Sequence, residues 1–122
     1  MEEIEVVRTS ALRKKQRTTG IVRDVAFESE AILFARSRVP AGTMSGWHHH
    51  GEREVYGFVV SGRLRIDFGT GGKKSIMIRE GDSFHIPIGL THRDVNPDSD
   101  HEAQVVNLML GKGPPVVNVS GP

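Results

Sequence analysis

Short alternations of apolar and polar residues recur along most of this chain, and they predict a protein built of β-strands. The clearest case is Arg63 to Phe68, where every second residue is apolar. This is the pattern of a strand with one buried face. The glycine-rich sequence Gly69 to Gly72 follows it and predicts a hairpin turn. The returning strand is expected near Lys73 to Arg79.

Other segments with strand character have similar lengths and are separated by glycine, proline or polar turns. Stretches with helical periodicity are scarce, so the pattern favours an antiparallel sandwich or barrel. We expect one domain over residues 1–122, with a core over about 30–110 and an extended C-terminal tail at 111–122. The remaining predicted strands are Glu3 to Arg8, Gly20 to Phe27, Glu30 to Arg38, Trp47 to His50, Val55 to Val60, Ser83 to Ile86 and Glu102 to Leu110.

Composition narrows the classes of function. The 122 residues carry a formal net charge of +1, which argues against nucleic acid or a membrane surface as a partner. The N-terminus lacks a signal-peptide pattern and no apolar stretch is long enough to span a membrane, so a cytoplasmic protein is expected. There are no cysteines. Any metal must therefore be bound through nitrogen and oxygen atoms.

Two separated segments contain candidate metal ligands. In the first, His48 and His50 lie two residues apart, so on a strand both side chains project to one face. Glu54 shares their parity if no bulge intervenes, although Gly51 makes a bulge possible. In the second segment, a proline and two glycines lead the chain around a corner to His92. Three imidazoles and a carboxylate make a complete set of ligands for a divalent transition metal.

These two segments resemble the two sequence motifs of the cupins. The first family motif, G-x5-H-x-H followed by three or four residues and E, corresponds to Gly42, His48, His50 and Glu54. The second, G-x5-P-x-G-x2-H-x3-N, is matched at every named position by Gly81, Pro87, Gly89, His92 and Asn96.

The first motif departs from the family at its last glycine. Six residues after Glu54 the chain has Ser61, and the glycine follows at Gly62. If Gly62 is the family glycine, the carboxylate position falls on Val55, which cannot bind metal. Two arrangements therefore remain open: Glu54 is a fourth ligand, or the site contains three histidines alone.

The resemblance implies an all-β, double-stranded β-helix (jelly-roll) barrel with one divalent transition metal inside, which would be Fe, Mn, Ni or Zn. It also implies a homodimer, since cupins often pair through strands near their termini. We expect a metalloenzyme that acts on a small organic molecule by dioxygenase or by isomerase or lyase chemistry. A non-catalytic module that binds a metal or small ligand is the alternative. Tyr56, the only tyrosine, is the candidate catalytic residue, as a hydrogen-bond or proton donor in the cavity.

Overall fold

A computed structural model describes residues 2–15 and 18–122 of the chain. They form eleven strands and two short 3-10 turns, at Thr9–Ala11 and Thr70–Gly72. The strands are β1 (Arg13–Lys15), β2 (Val22–Glu28), β3 (Ile32–Val39), β4 (His48–His49), β5 (Glu54–Ser61), β6 (Arg63–Phe68), β7 (Lys74–Arg79), β8 (Ser83–Ile86), β9 (His92–Val95), β10 (Ala103–Leu110) and β11 (Val117–Asn118).

The strands build two antiparallel sheets. One has six strands in the order β1-β2-β3-β10-β5-β8, and the other has five in the order β11-β4-β9-β6-β7. Neighbours in the sheets are mostly distant in the sequence, as when β10 pairs with both β3 and β5. The predicted all-β jelly-roll class is confirmed.

Alternation along the strands explains how the two sheets share one core. In β3, β5 and β10 every second side chain is buried, and the residues between them lie on the outer face. The inward residues are largely valine, isoleucine and leucine, for example Leu33, Val59 and Leu64. Burying each such side chain contributes roughly 1.5–3 kcal/mol to folding. The apolar core therefore supports a barrel whose interior can also contain a polar site.

The hairpin predicted from the sequence is confirmed. β6 and β7 pair in register from Arg63 to Phe68, with the predicted turn between them. The preceding turn depends on Gly62, which has a φ of 78°. A Cβ atom at this position would lie 2.7 Å from the carbonyl oxygen of Glu102, so only glycine fits.

The N-terminal end of the chain differs from the prediction. Glu3 to Arg8 forms no strand, and its side chains are mostly exposed. The C-terminal segment 111–122 packs on the barrel, where Val117–Asn118 pairs with His49 and His48 of β4. The end of the chain thus forms the edge strand beside the predicted metal ligands. Within the described residues, no helix combines the length and the apolar character that crossing a bilayer requires.

Candidate metal site

Two of the predicted ligands are direct neighbours across two strands. His48 in β4 is paired with His92 in β9, and both side chains are completely buried. Their ring centroids are 4.3 Å apart. The corner predicted from the second motif therefore delivers His92 to the inner face of the five-stranded sheet.

The third histidine lies just beyond the end of β4. His50 is 3% exposed, and its ring centroid is 5.3 Å from that of His48 and 5.1 Å from that of His92. One ring nitrogen of each histidine lies within 4.8 Å of the others. The structure therefore brings together the three imidazoles that the sequence predicted to converge.

Backbone carbonyl groups fix the orientation of all three rings. The Nδ1 atoms of His48, His50 and His92 lie 2.9, 2.8 and 2.8 Å from the carbonyl oxygens of Gly46, Pro115 and Leu90. A carbonyl oxygen only accepts, so each Nδ1 carries the proton. In the neutral ring Nε2 then carries a lone pair. Metal-binding histidines commonly use their second nitrogen in this way.

The Nε2 atom of each ring is not engaged by these carbonyl groups. Those of His48 and His92 are buried and have no hydrogen-bond partner among the described residues. Leaving a buried polar atom without a partner costs about 1–3 kcal/mol. A divalent cation bound by these nitrogens would remove this cost, so the residues present fit a metal ion.

Burial also keeps two of the rings neutral. It lowers the pKa of His48 from 6.5 to about 4, although the negative charge of Asp94 acts in the opposite direction. It lowers the pKa of His50 to about 2, and the neighbouring His92 adds to the effect. Only a neutral imidazole can bind a metal, so these rings are ready to do so at neutral pH.

The structure does not bring Glu54 to the histidines. β4 ends at His49 and a turn precedes β5, so the alternation starts again with Val55 buried and Glu54 on the outer face. There the Glu54 carboxylate lies 3.1 Å from Nε2 of His85. The predicted shared parity is therefore wrong, and Val55 occupies the inward position that the spacing to Gly62 indicated.

Tyr56 also lies outside the barrel. It is two residues after Glu54 on the same face of β5, its side chain is 44% exposed, and its ring stacks on His85 with 4.8 Å between centroids. The prediction that it lines the cavity is wrong, because the inward positions of β5 are taken by Val55, Gly57 and Val59.

A cavity of about 30 Å³ lies beside the histidines. Its wall is mostly apolar, from side chains such as Phe84 and Met109, but it also contains charged and polar groups. This volume holds only one or two water-sized groups. The polar and charged lining residues are Arg23, Ser37, His50, His92, Asp94 and Asn107.

Comparison with known proteins assigns this chain to a family. The family model described as a cupin domain matches residues 35–109. This chain belongs to the cupin family. A comparison with curated proteins found no match.

Solved cupin structures share the fold. A Klebsiella pneumoniae protein with a double-stranded β-helix domain aligns over 97% of this chain and 93% of its own, with a TM-score of 0.76 and 15% identity. The polyketide cyclase RemF from Streptomyces resistomycificus aligns over 96% and 86%, with a TM-score of 0.77 and 17% identity. An oxalate oxidase in complex with the substrate analogue glycolate is 29% identical, with a TM-score of 0.63. The alignment covers 73% of this chain and 46% of the oxidase, so this cupin spans about half of that protein.

Two charged residues of this cupin's interior were missed by the sequence analysis. Asp94 lies two residues after His92 on β9, so the same alternation that placed His48 and His50 together could have found it. Arg23 is 5% exposed and donates a hydrogen bond to Thr18. It is the second residue of β2, and no motif distinguishes it from a surface arginine. Among the described residues, the histidine cluster and the cavity beside it therefore contain three imidazoles, one carboxylate and one guanidinium.

Proposed function

We propose that this cupin is a metal-dependent enzyme that acts on a small organic acid. The observation that carries the proposal is the convergence of three buried imidazoles with their Nδ1 protons donated to backbone carbonyls. Each Nε2 is thereby left to carry a lone pair, and one nitrogen of each ring already lies within 4.8 Å of the others. Preorganised ligands of this kind are expected where a metal is resident.

The donor atoms restrict the ion to those that accept imidazole nitrogen. Iron, manganese, nickel and zinc all do so, while the absence of cysteine removes thiolate ligands. Such an ion supplies Lewis acidity to a bound carbonyl or carboxylate and, if it is iron or manganese, redox chemistry. His48, His50 and His92 would hold it.

The charge in the cavity lining favours a small anionic substrate. The cavity volume of about 30 Å³ excludes bulky molecules. Arg23 brings a cation into the apolar lining, and a guanidinium group pairs well with a carboxylate. The likeness to an oxalate oxidase in complex with glycolate points to the same class, a carboxylic acid of a few carbon atoms.

The test combines metal analysis with turnover. The metal content of protein purified without added metal is measured by elemental mass spectrometry. The loaded protein is then given oxalate, glycolate and related small acids, while oxygen uptake and CO2 release are recorded. Wild-type protein should hold about one ion per chain and turn over at least one acid. His92→Ala should lose most of the ion. His85→Ala, which alters an exposed histidine of the outer face, should retain it.

A non-catalytic module that binds a metal is the second candidate. The small cavity favours it, because an ion with its solvent would already occupy most of about 30 Å³. Tight binding of one ion without turnover of any acid would select this alternative. The absence of any metal, even after reconstitution, would rule out both.

A further inference from the structure

A buried carboxylate lies close to the Nε2 atom of His48. Oδ2 of Asp94 lies 3.5 Å from that nitrogen. The two atoms form no hydrogen bond with each other. With the imidazole proton already on Nδ1, both facing atoms are acceptors. Two acceptors buried against each other repel, and a cation bound by both would remove that repulsion.

The backbone holds Asp94 firmly in this position. Its N–H donates to Oγ of Ser45 over 2.9 Å, and its carbonyl oxygen accepts from the N–H of Ser45 over 2.8 Å. β9 directs Asp94 and His92 to the same inner face, and Asp94 is only 7% exposed. The carboxylate is therefore a fixed part of the interior.

The separation of the two atoms suits donors on one ion. Ligands that each lie roughly 2.1 Å from a metal are about 3 to 3.5 Å apart when they occupy adjacent coordination positions. The observed 3.5 Å to His48 lies at the upper end of this range. Among the described residues, the ligand atoms that all lie within 4.8 Å of one another are those of the three histidines, so Asp94 is near His48 without being equally near the other two. Glu54, by comparison, is directed to the outer face and pairs with His85.

Given the metal site of the proposed function, we propose that Asp94 supplies the carboxylate that completes it. The centre then has three neutral nitrogens and one anionic oxygen. A carboxylate oxygen favours binding of a harder ion such as Mn²⁺ or Fe²⁺ over binding of an ion that prefers nitrogen ligands. Glu54 has no part in binding.

The test compares Asp94→Asn and Asp94→Ser with the matched control Glu54→Gln. Binding of Mn²⁺ and Zn²⁺ alone is measured by calorimetry, and bound Mn²⁺ by its electron paramagnetic resonance spectrum. Both Asp94 variants should weaken Mn²⁺ binding at least about tenfold, the loss found for metal-site partners. Zn²⁺ should be affected less. Glu54→Gln should leave both affinities within about twofold, since its carboxylate is outside the barrel.

Thermal unfolding of the metal-free proteins separates ligation from a structural role. Without metal, Asp94→Asn should be at least as stable as wild type, because its amide N–H can donate to the lone pair of His48. Destabilisation of both metal-free variants would show a structural role and overturn the proposal. Unchanged Mn²⁺ binding in either folded variant would also overturn it, while leaving the three-histidine site intact. If the wild type binds neither of these ions and takes up no iron or nickel, the proposed function itself fails.

Discussion

At the scale of single residues, periodicity predicted that His48 and His50 share a face, and the corner before His92 predicted that the third ring meets them. His48 lies in β4, and His50, one residue beyond the end of that strand, continues the alternation. Glu54 does not, because the turn at 51–52 resets which face each residue occupies. Such a reset depends on backbone angles at Gly51, which has a φ of 60°. The identity of the residues alone does not determine it.

The asparagine of the second motif fixes a turn through its side-chain hydrogen bonds. Asn96 is 2% exposed, and its side-chain amide donates to the carbonyl oxygens of Val39 and His101. Its Oδ1 accepts from the N–H of Asp98. This motif position therefore stabilises the loop after β9 and does not contact the ion site.

The buried histidines should make the metal-free protein sensitive to acid. His48 takes up a proton near pH 6.5 in an unfolded chain but only near pH 4 when folded. Between these values the unfolded state binds more protons, so the free energy of unfolding falls as the pH falls. His48 alone accounts for about 3 kcal/mol over this window. Urea unfolding of metal-free protein at pH 8, 6 and 5 measures the effect, and equal stability at all three would contradict it.

At the scale of elements, the C-terminal segment connects the edge of a sheet to the site. The Pro115 carbonyl accepts from His50, and the Gly113 carbonyl accepts from Arg53. Val119 donates its N–H to the Trp47 carbonyl, just before the first ligand. The sequence could not identify the partner of this segment, since pairing between β11 and β4 joins residues far apart in the chain.

Deleting residues 114–122 should weaken metal binding. The deletion removes the carbonyl that orients the His50 ring, and loss of such a partner typically costs 10- to 100-fold in affinity. Deleting only 120–122, beyond β11 and beyond Val119, is the control and should have little effect. Competition with a chelator measures the affinity, and circular dichroism confirms the fold of each variant. Full affinity in the longer deletion would show that the segment does not position His50.

At the scale of the whole molecule, the barrel could be predicted because two independent signals agreed. Alternation predicted the strands, and the two cupin motifs predicted that the segments containing His48, His50 and His92 lie together in the barrel. Alternation could not predict the order of strands within each sheet. β10, for example, lies between β3 and β5, which are both far from it in the sequence. The exposed N-terminal segment shows the same limit, because strand-like sequence forms a strand only beside a partner.

The homodimer remains a prediction, and the outer face of the six-stranded sheet is the surface we expect it to use. Apolar side chains there are well exposed, among them Phe34, Phe58 and Val60 at 39%, 44% and 46%. Patches of this kind often mark protein interfaces. The wild type should have twice the chain mass by light scattering. Phe58→Asp should yield monomers, because it buries a charge in the interface.

Ile76→Asp is the control, since Ile76 is an isoleucine of the other sheet and is 54% exposed. It should leave the mass unchanged. A wild-type protein that is monomeric at high concentration would contradict the dimer, without bearing on the metal site within each chain.

The most direct test of the central claim is anomalous diffraction from crystals of the metal-loaded protein, recorded at the absorption edge of the ion. We predict one peak per chain inside the barrel, about 2.1 Å from Nε2 of His48, His50 and His92. A peak anywhere else, or a loaded protein whose three Nε2 atoms bind no ion, would contradict the account.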